Sequence, residues 1–140
     1  MKNSKPNIAM VDDEMDVCSV LVKLIRRRDI PVSFVAYDGP GALLKFKSAD
    51  PKPDIVILDY RLQYAKGVDV MREMLMIQSS TKVIFLSAEV GVMREAYDAG
   101  AVLFLVKPVS IKTISDAIDV VHNNQGKYNY NGFKFVKSEV

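Results

Sequence analysis

Five short apolar runs rich in β-branched residues, separated by segments with a helical period, limit what this chain can fold into more than any other feature of it. The runs are Asn7 to Val11, Val32 to Tyr37, Asp54 to Leu58, Lys82 to Leu86 and Val102 to Val106. Their length and composition predict strands. Between them apolar residues recur three and four apart, as in Val17, Leu21 and Leu24, or Val70, Met71, Met74 and Leu75, which predicts helices. The last helix shows the clearest stripe, Ile111, Ile114, Ala117, Ile118 and Val121, after Pro108 and an N-cap at Ser110. Strands alternating with helices require right-handed crossovers and a parallel sheet covered on both faces. That burial is why the third and fifth runs are almost continuously apolar. The expected fold is a doubly wound α/β architecture, (βα)5.

A chain of 140 residues suits one such domain around a single core, and the repeat accounts for residues 1–123. Residues 124–140 form a C-terminal extension, either a hairpin or the start of a linker. Within it Asn131-Gly132, a favoured type I′ turn pair, stands between two alternating arms. That turn would pair Tyr130 with Phe133 and Tyr128 with Phe135. A lone two-stranded hairpin is marginal in water, so its aromatic face should pack on the body of the protein or on a partner.

The formal charge of +2 and the scattered Lys and Arg residues give no nucleic-acid footprint, so no direct nucleic-acid binding is expected. The single cysteine, Cys18, cannot form an internal disulfide and reads as a small core hydrophobe. No secretory signal pattern and no membrane-length apolar stretch is present, so a reducing, cytoplasmic location without membrane attachment is expected. His122 reads as a surface residue, and Arg26, Arg27 and Arg28 as a solvated helix end favoured by the helix dipole.

The chemistry gathers where the apolar runs stop. Asp12 and Asp13 follow the first run, Asp59 the third, Ser87 the fourth and Lys107 the fifth. In an open parallel sheet the carboxyl ends of all strands share one edge, so residues far apart in sequence meet there. Any one aspartate could be a helix cap or turn residue, but crowded carboxylates need a counter-charge. Magnesium suits them, since it takes oxygen ligands and is commonly held by one or two carboxylates together with phosphate oxygens. Phosphoryl transfer needs in-line positioning and charge neutralisation. Asp59 can serve as nucleophile, Asp12 and Asp13 as metal ligands, and Lys107 and Ser87 as partners of phosphoryl oxygens.

These residues resemble a known family. Asp12-Asp13-Glu14, the segment from Ile57 to Leu62, Leu86-Ser87-Ala88 and the segment from Gly100 to Pro108 are similar to the motifs of the receiver domain of two-component response regulators. The resemblance covers about Asn7 to Asn123. It implies the flavodoxin-like strand order 2-1-3-4-5, Mg2+ as cofactor and Asp59 as the phosphorylation site. It also implies a sensor histidine kinase or phosphotransfer protein as donor, and Asp59 itself and the backbone carbonyl of Arg61 as further metal ligands. The phosphoryl group would be read out on the surface of the fourth helix, fifth strand and fifth helix. Ser87 would move toward it and Phe104 would turn inward, switching an output protein or effector domain. Such a protein assists its own phosphorylation and dephosphorylation and is not otherwise an enzyme.

The segment Glu89 to Ala99, with Gly91 near its start and Gly100 as its stop, should be among the less stable elements. Gln63 and Lys66 depart from the family, which commonly has proline and an acidic residue there, while Gly67 matches. Arg61 and Glu89, each two residues past a site residue, should pair across the mouth and slow attack by water on the acyl phosphate. Two other readings fit less well. A flavin phosphate would be repelled by Asp12, Asp13 and Glu14, and a dehalogenase-type phosphatase wants a second carboxylate where Arg61 stands. The alternative within the family is a degenerate receiver that acts as an interaction module without phosphorylation. Output, kinase, stimulus and homodimer formation are not written in these residues.

Overall fold

The computed structural model describes residues 5–132 and 134–138. The elements run in order as β1 (Ile8–Val11), α1 (Met15–Arg26), β2 (Val32–Ala36), α2 (Gly39–Ser48), β3 (Ile55–Asp59), β4 (Arg61–Leu62), β5 (Ala65–Lys66) and α3 (Gly67–Ile77). Then come β6 (Lys82–Ser87), a 3-10 turn at Val90–Val92, α4 (Met93–Ala99), β7 (Leu103–Val106), α5 (Ile111–Asn123), β8 (Tyr128–Tyr130) and β9 (Phe135–Lys137). Five strands form one sheet in the order β2-β1-β3-β6-β7, and every pairing in it is parallel. The expected doubly wound, flavodoxin-like order is therefore observed.

Alternation along the strands divides the core in two. Ile8, Met10, Ile55, Ile57, Ile84, Leu86, Leu103 and Leu105 face α1 and α5, meeting Cys18, Ile25, Ile114 and Ile118. Ala9, Val11, Val56, Leu58, Val83, Phe85 and Phe104 face the other way, against Phe46 of α2, Met71 and Met74 of α3 and Ala96 of α4. Because both faces are covered, the central strands show no polar face at all. Among the described residues no helix is long and apolar enough to cross a membrane.

Local chemistry explains most boundaries. The Ser110 hydroxyl accepts the Thr113 N–H at 3.1 Å and caps α5, as predicted. The Asp38 carboxylate does the same for α2 through the Gly41 N–H at 2.6 Å. Gly100, at φ +124°, ends α4 after seven residues.

Three details refine or change the expectations. First, α1 forms as expected, with Cys18, Val22 and Ile25 buried, Leu21 and Leu24 half-buried beside them and Val17 exposed. Second, the departures at Gln63 and Lys66 lie in a short antiparallel hairpin formed by β4 and β5, with Tyr64 at φ 67° in its turn. Third, β8 and β9 do form a hairpin, but Tyr130 pairs with Phe135 and Tyr128 with Lys137. The register is thus shifted by two residues from the expected one, and the Asn131 N–H donates to the Lys134 carbonyl at 3.2 Å. Phe133 lies outside the described residues, so the Tyr130–Phe133 pairing does too.

Candidate functional site

The carboxyl edge of the sheet assembles the site from four strands. Asp12 follows β1, held to the sheet by its N–H to the Ala36 carbonyl at 3.1 Å. Asp59 is the last residue of β3, opposite Leu86 in the register with β6. Ser87 closes β6, and its carbonyl accepts the N–H of Lys107, which follows β7, at 2.8 Å. Neighbouring strands thus deliver each functional side chain to one edge.

The Lys107 ammonium joins them. It lies 2.9 Å from Asp59 Oδ2, 3.3 Å from Asp12 Oδ2 and 3.5 Å from Glu14 Oε1. Asp12 and Asp59 are almost fully buried, at 2% and 5% exposure, so their charges are weakly screened by solvent. Burial and the Asp12 charge raise the Asp59 carboxyl to about 6, although Lys107 and the Arg61 amide pull it down. Burial by itself would lower the Lys107 ammonium, but its contacts with Asp59 and Asp12 outweigh this and hold it above its ordinary value. One cation among three carboxylates leaves the pocket with surplus negative charge.

Asp12, Asp13 and Glu14 can each bring one carboxylate oxygen within 4.8 Å of the others. Asp13 and Glu14 are exposed, Asp12 is not. Hard oxygen donors in this number suit a divalent cation of the magnesium type, so the residues fit the metal that the sequence implies. Asp59 adjoins this trio through Lys107 rather than belonging to it. Glu14 was visible in the sequence as part of a motif but had been given no contact of its own.

Ser87 is 2% exposed, and its hydroxyl accepts the Glu89 N–H at 2.9 Å, leaving its own proton free to donate. Arg61 and Glu89 pair with each other, with Nε 2.6 Å from Oε1 and a second, shorter contact through Nη2. Phe104 is buried and stacked on Phe85, with ring centroids 6.4 Å apart. It is packed inward in this structure, so no rotation is needed to place it there. Gly67 starts α3 directly beneath the site: a β-carbon on it would lie 2.4 Å from the Asp59 carbonyl oxygen and 3.0 Å from Phe85. Two residues escaped sequence reasoning altogether. Tyr60 donates its hydroxyl to Glu95 at 3.1 Å, and Tyr97 offers its hydroxyl to the Phe104 N–H at 3.1 Å. A hydroxyl whose partners lie in another element leaves no periodic signal.

With this geometry in place, comparison with known proteins decides the family. The response regulator receiver domain family matches residues 8–119, most of the chain. The chain belongs to that family. Thermotoga maritima chemotaxis protein CheY is 31% identical to it over 116 residues, 81% of this chain and 95% of CheY. A LuxR-family response regulator from Aurantimonas superposes with TM-score 0.81 at 23% identity, over 92% of this chain and 91% of that one. The Borrelia burgdorferi CheY of a CheX-CheY-BeF3-Mg complex does so with TM-score 0.77 at 24% identity, covering 83% and 88%. At those identities the two structures speak to the fold. The receiver fold therefore carries, at its carboxyl edge, the acidic pair, the strand-end aspartate and the lysine named from sequence.

Proposed function

We propose that this receiver is a phosphoacceptor switch in which Asp59 takes a phosphoryl group, in a magnesium-dependent step, from a histidine kinase or a phosphotransfer protein. The observation that carries this reading is the Lys107 ammonium set between Asp59 and Asp12 in a buried acidic pocket. A carboxylate oxygen of Asp59 attacks phosphorus while the bond from phosphorus to the donor breaks, and the donor leaves with its electron pair and gains a proton. Lys107 is placed to neutralise charge on the moving group, and Ser87, with a free hydroxyl proton, to donate to one of its oxygens. Asp12, Asp13 and Asp59, with the Arg61 carbonyl, would hold magnesium, which would supply neutralisation of negative charge when bound.

In this reading the chain acts as a switch and not as an enzyme on external substrates. It works in the cytoplasm, and its α4–β7–α5 surface reports the state of Asp59 to an output partner through Ser87 and Phe104. Arg61 and Glu89 shield the acyl phosphate from water. The CheX-CheY complex from Borrelia, which holds beryllofluoride and magnesium, is a relative bound to a protein partner and supports a partner-docking role here.

Incubation with magnesium and a small acyl-phosphate donor, followed by intact mass, tests the reading. The expected result is one added phosphoryl group, lost when magnesium is chelated and absent in Asp59→Asn. A chain that stays unmodified supports the degenerate-receiver alternative instead.

A further inference from the structure

β7 is an edge strand, so the backbone groups on its outer side have no neighbouring strand to pair with. Two sources outside the sheet satisfy them. The N–H of Tyr128 in the C-terminal hairpin donates to the Val102 carbonyl at 2.8 Å, and the Phe104 N–H donates to the Tyr97 hydroxyl at 3.1 Å. The same Tyr97 hydroxyl donates its proton to the Tyr128 carbonyl, and the Lys127 ammonium binds the Tyr97 carbonyl at 2.8 Å. Tyr97 belongs with the core on the α2–α4 side, whereas Tyr128, Tyr130 and Phe135 pack on the α1–α5 side. The hairpin therefore wraps the open edge of the sheet and covers the strip between α4 and α5.

We propose that this hairpin is a strap over the α4–β7–α5 face, latched by the Tyr97 hydroxyl and released when Asp59 is phosphorylated; it rests on the receiver reading above. The latch couples two elements through one group. One hydroxyl serves both Phe104 of β7 and Tyr128 of the strap, so a shift of β7 against α4 disturbs both bonds together. Tyr97 sits on a seven-residue helix preceded by a 3-10 turn, an element of low local stability. Phosphorylation would act on Ser87 and Lys107, at the ends of β6 and β7, and β7 is the strand that α4 packs against. A two-stranded hairpin does not hold its own structure in water, so a strap that leaves the face also loses its order. That loss is what an experiment can read.

Amide hydrogen exchange on the full chain, with and without phosphorylation by magnesium and a small acyl-phosphate donor, tests the strap. Occupancy is checked by intact mass on the same samples. Exchange at the Tyr128 to Tyr130 amides is expected to rise about tenfold or more on phosphorylation. Tyr97→Phe should give a similar rise without phosphate while still accepting a phosphoryl group, and Lys127→Ala a smaller one. Unchanged hairpin exchange in a sample shown to be phosphorylated overturns the strap and leaves the receiver reading intact. Unchanged exchange in folded Tyr97→Phe and in Lys127→Ala overturns the latch. If no phosphoryl group is taken up, the receiver reading falls and phosphorylation-driven release falls with it.

Discussion

Asp59 holds its proton to about 6 even though the Lys107 ammonium lies 2.9 Å away, because burial and the neighbouring Asp12 together outweigh that attraction. In the folded chain the carboxyl is raised from 3.8, so it is the ionised form that the fold disfavours. Below the unfolded value both states are protonated and Asp59 is neutral toward stability. As pH rises from there through about 6, the unfolded chain ionises first and the fold loses ground. Asp59→Asn removes this titration but also a partner of Lys107. In chelator, the variant is expected to gain on the wild type by on the order of 1–3 kcal/mol between about pH 4 and about pH 7. Urea denaturation at the two pH values measures it, and a stability difference that does not move with pH counts against the buried, crowded carboxylate.

Gly67 sits where the chain leaving β3 and the start of α3 press together. A β-carbon there would meet the Asp59 carbonyl oxygen at 2.4 Å, and neither that backbone nor the Phe85 ring has room to retreat in a packed core. Gly67→Ala is expected to cost about 1–3 kcal/mol, read from the denaturant midpoint. Since the displaced backbone carries Asp59, phosphoryl uptake should slow as well. An alanine variant as stable and as readily phosphorylated as the wild type would mean the loop relaxes freely.

How much of this was legible in the sequence depends on whether the signal was local. Parallel strands buried on both faces write continuous apolar runs, so β3 and β6 were visible, and the polar residue ending each run marked Asp59 and Ser87. The Lys107 bridge was legible as convergence at one edge, since topology alone brings strand ends together. Which apolar residues of α1 are fully buried was not, because Val17, Cys18, Leu21 and Val22 offer two apolar stripes and only packing against the sheet ranks them. The hairpin register was missed for a similar reason. Asn131-Gly132 favours a turn that pairs Tyr130 with Phe133, but the observed register lets Tyr130 and Phe135 meet with ring centroids 4.8 Å apart while Tyr128 reaches Val102. Tertiary contacts there outweigh turn preference.

Cys18 lies in the α1 stripe with no exposed surface, and burial together with the Asp12 charge raises its thiol to about 11. Only the thiolate alkylates, so both access and ionisation protect it. Iodoacetamide at about pH 8 should label the native chain at least a hundredfold more slowly than the urea-unfolded chain. Mass spectrometry over time gives both rates; comparable rates would place Cys18 at the surface and a different face of α1 on the sheet.

Arg61 and Glu89 pair with their side chains 75% and 42% exposed, so their pairing adds little to stability. Their position matters more than their energy. Arg61 stands two residues beyond Asp59 and Glu89 two beyond Ser87, and in the proposed function the paired side chains would narrow the approach to the Asp59 carboxylate. Water attacking an acyl phosphate must come in line through that approach, and excluding it lengthens the life of the phosphorylated state. Arg61→Ala is expected to shorten that lifetime several-fold with an unchanged denaturant midpoint, and Glu89→Ala to do the same through release of Arg61. If the two act as one gate, the double variant should decay no faster than either single one, because neither residue can close the mouth without the other. The decay of phosphorylated protein after removal of the donor, followed by intact mass, measures all three. Lifetimes that match the wild type, or effects that multiply in the double variant, would reduce the pair to a surface ion pair without a gating role.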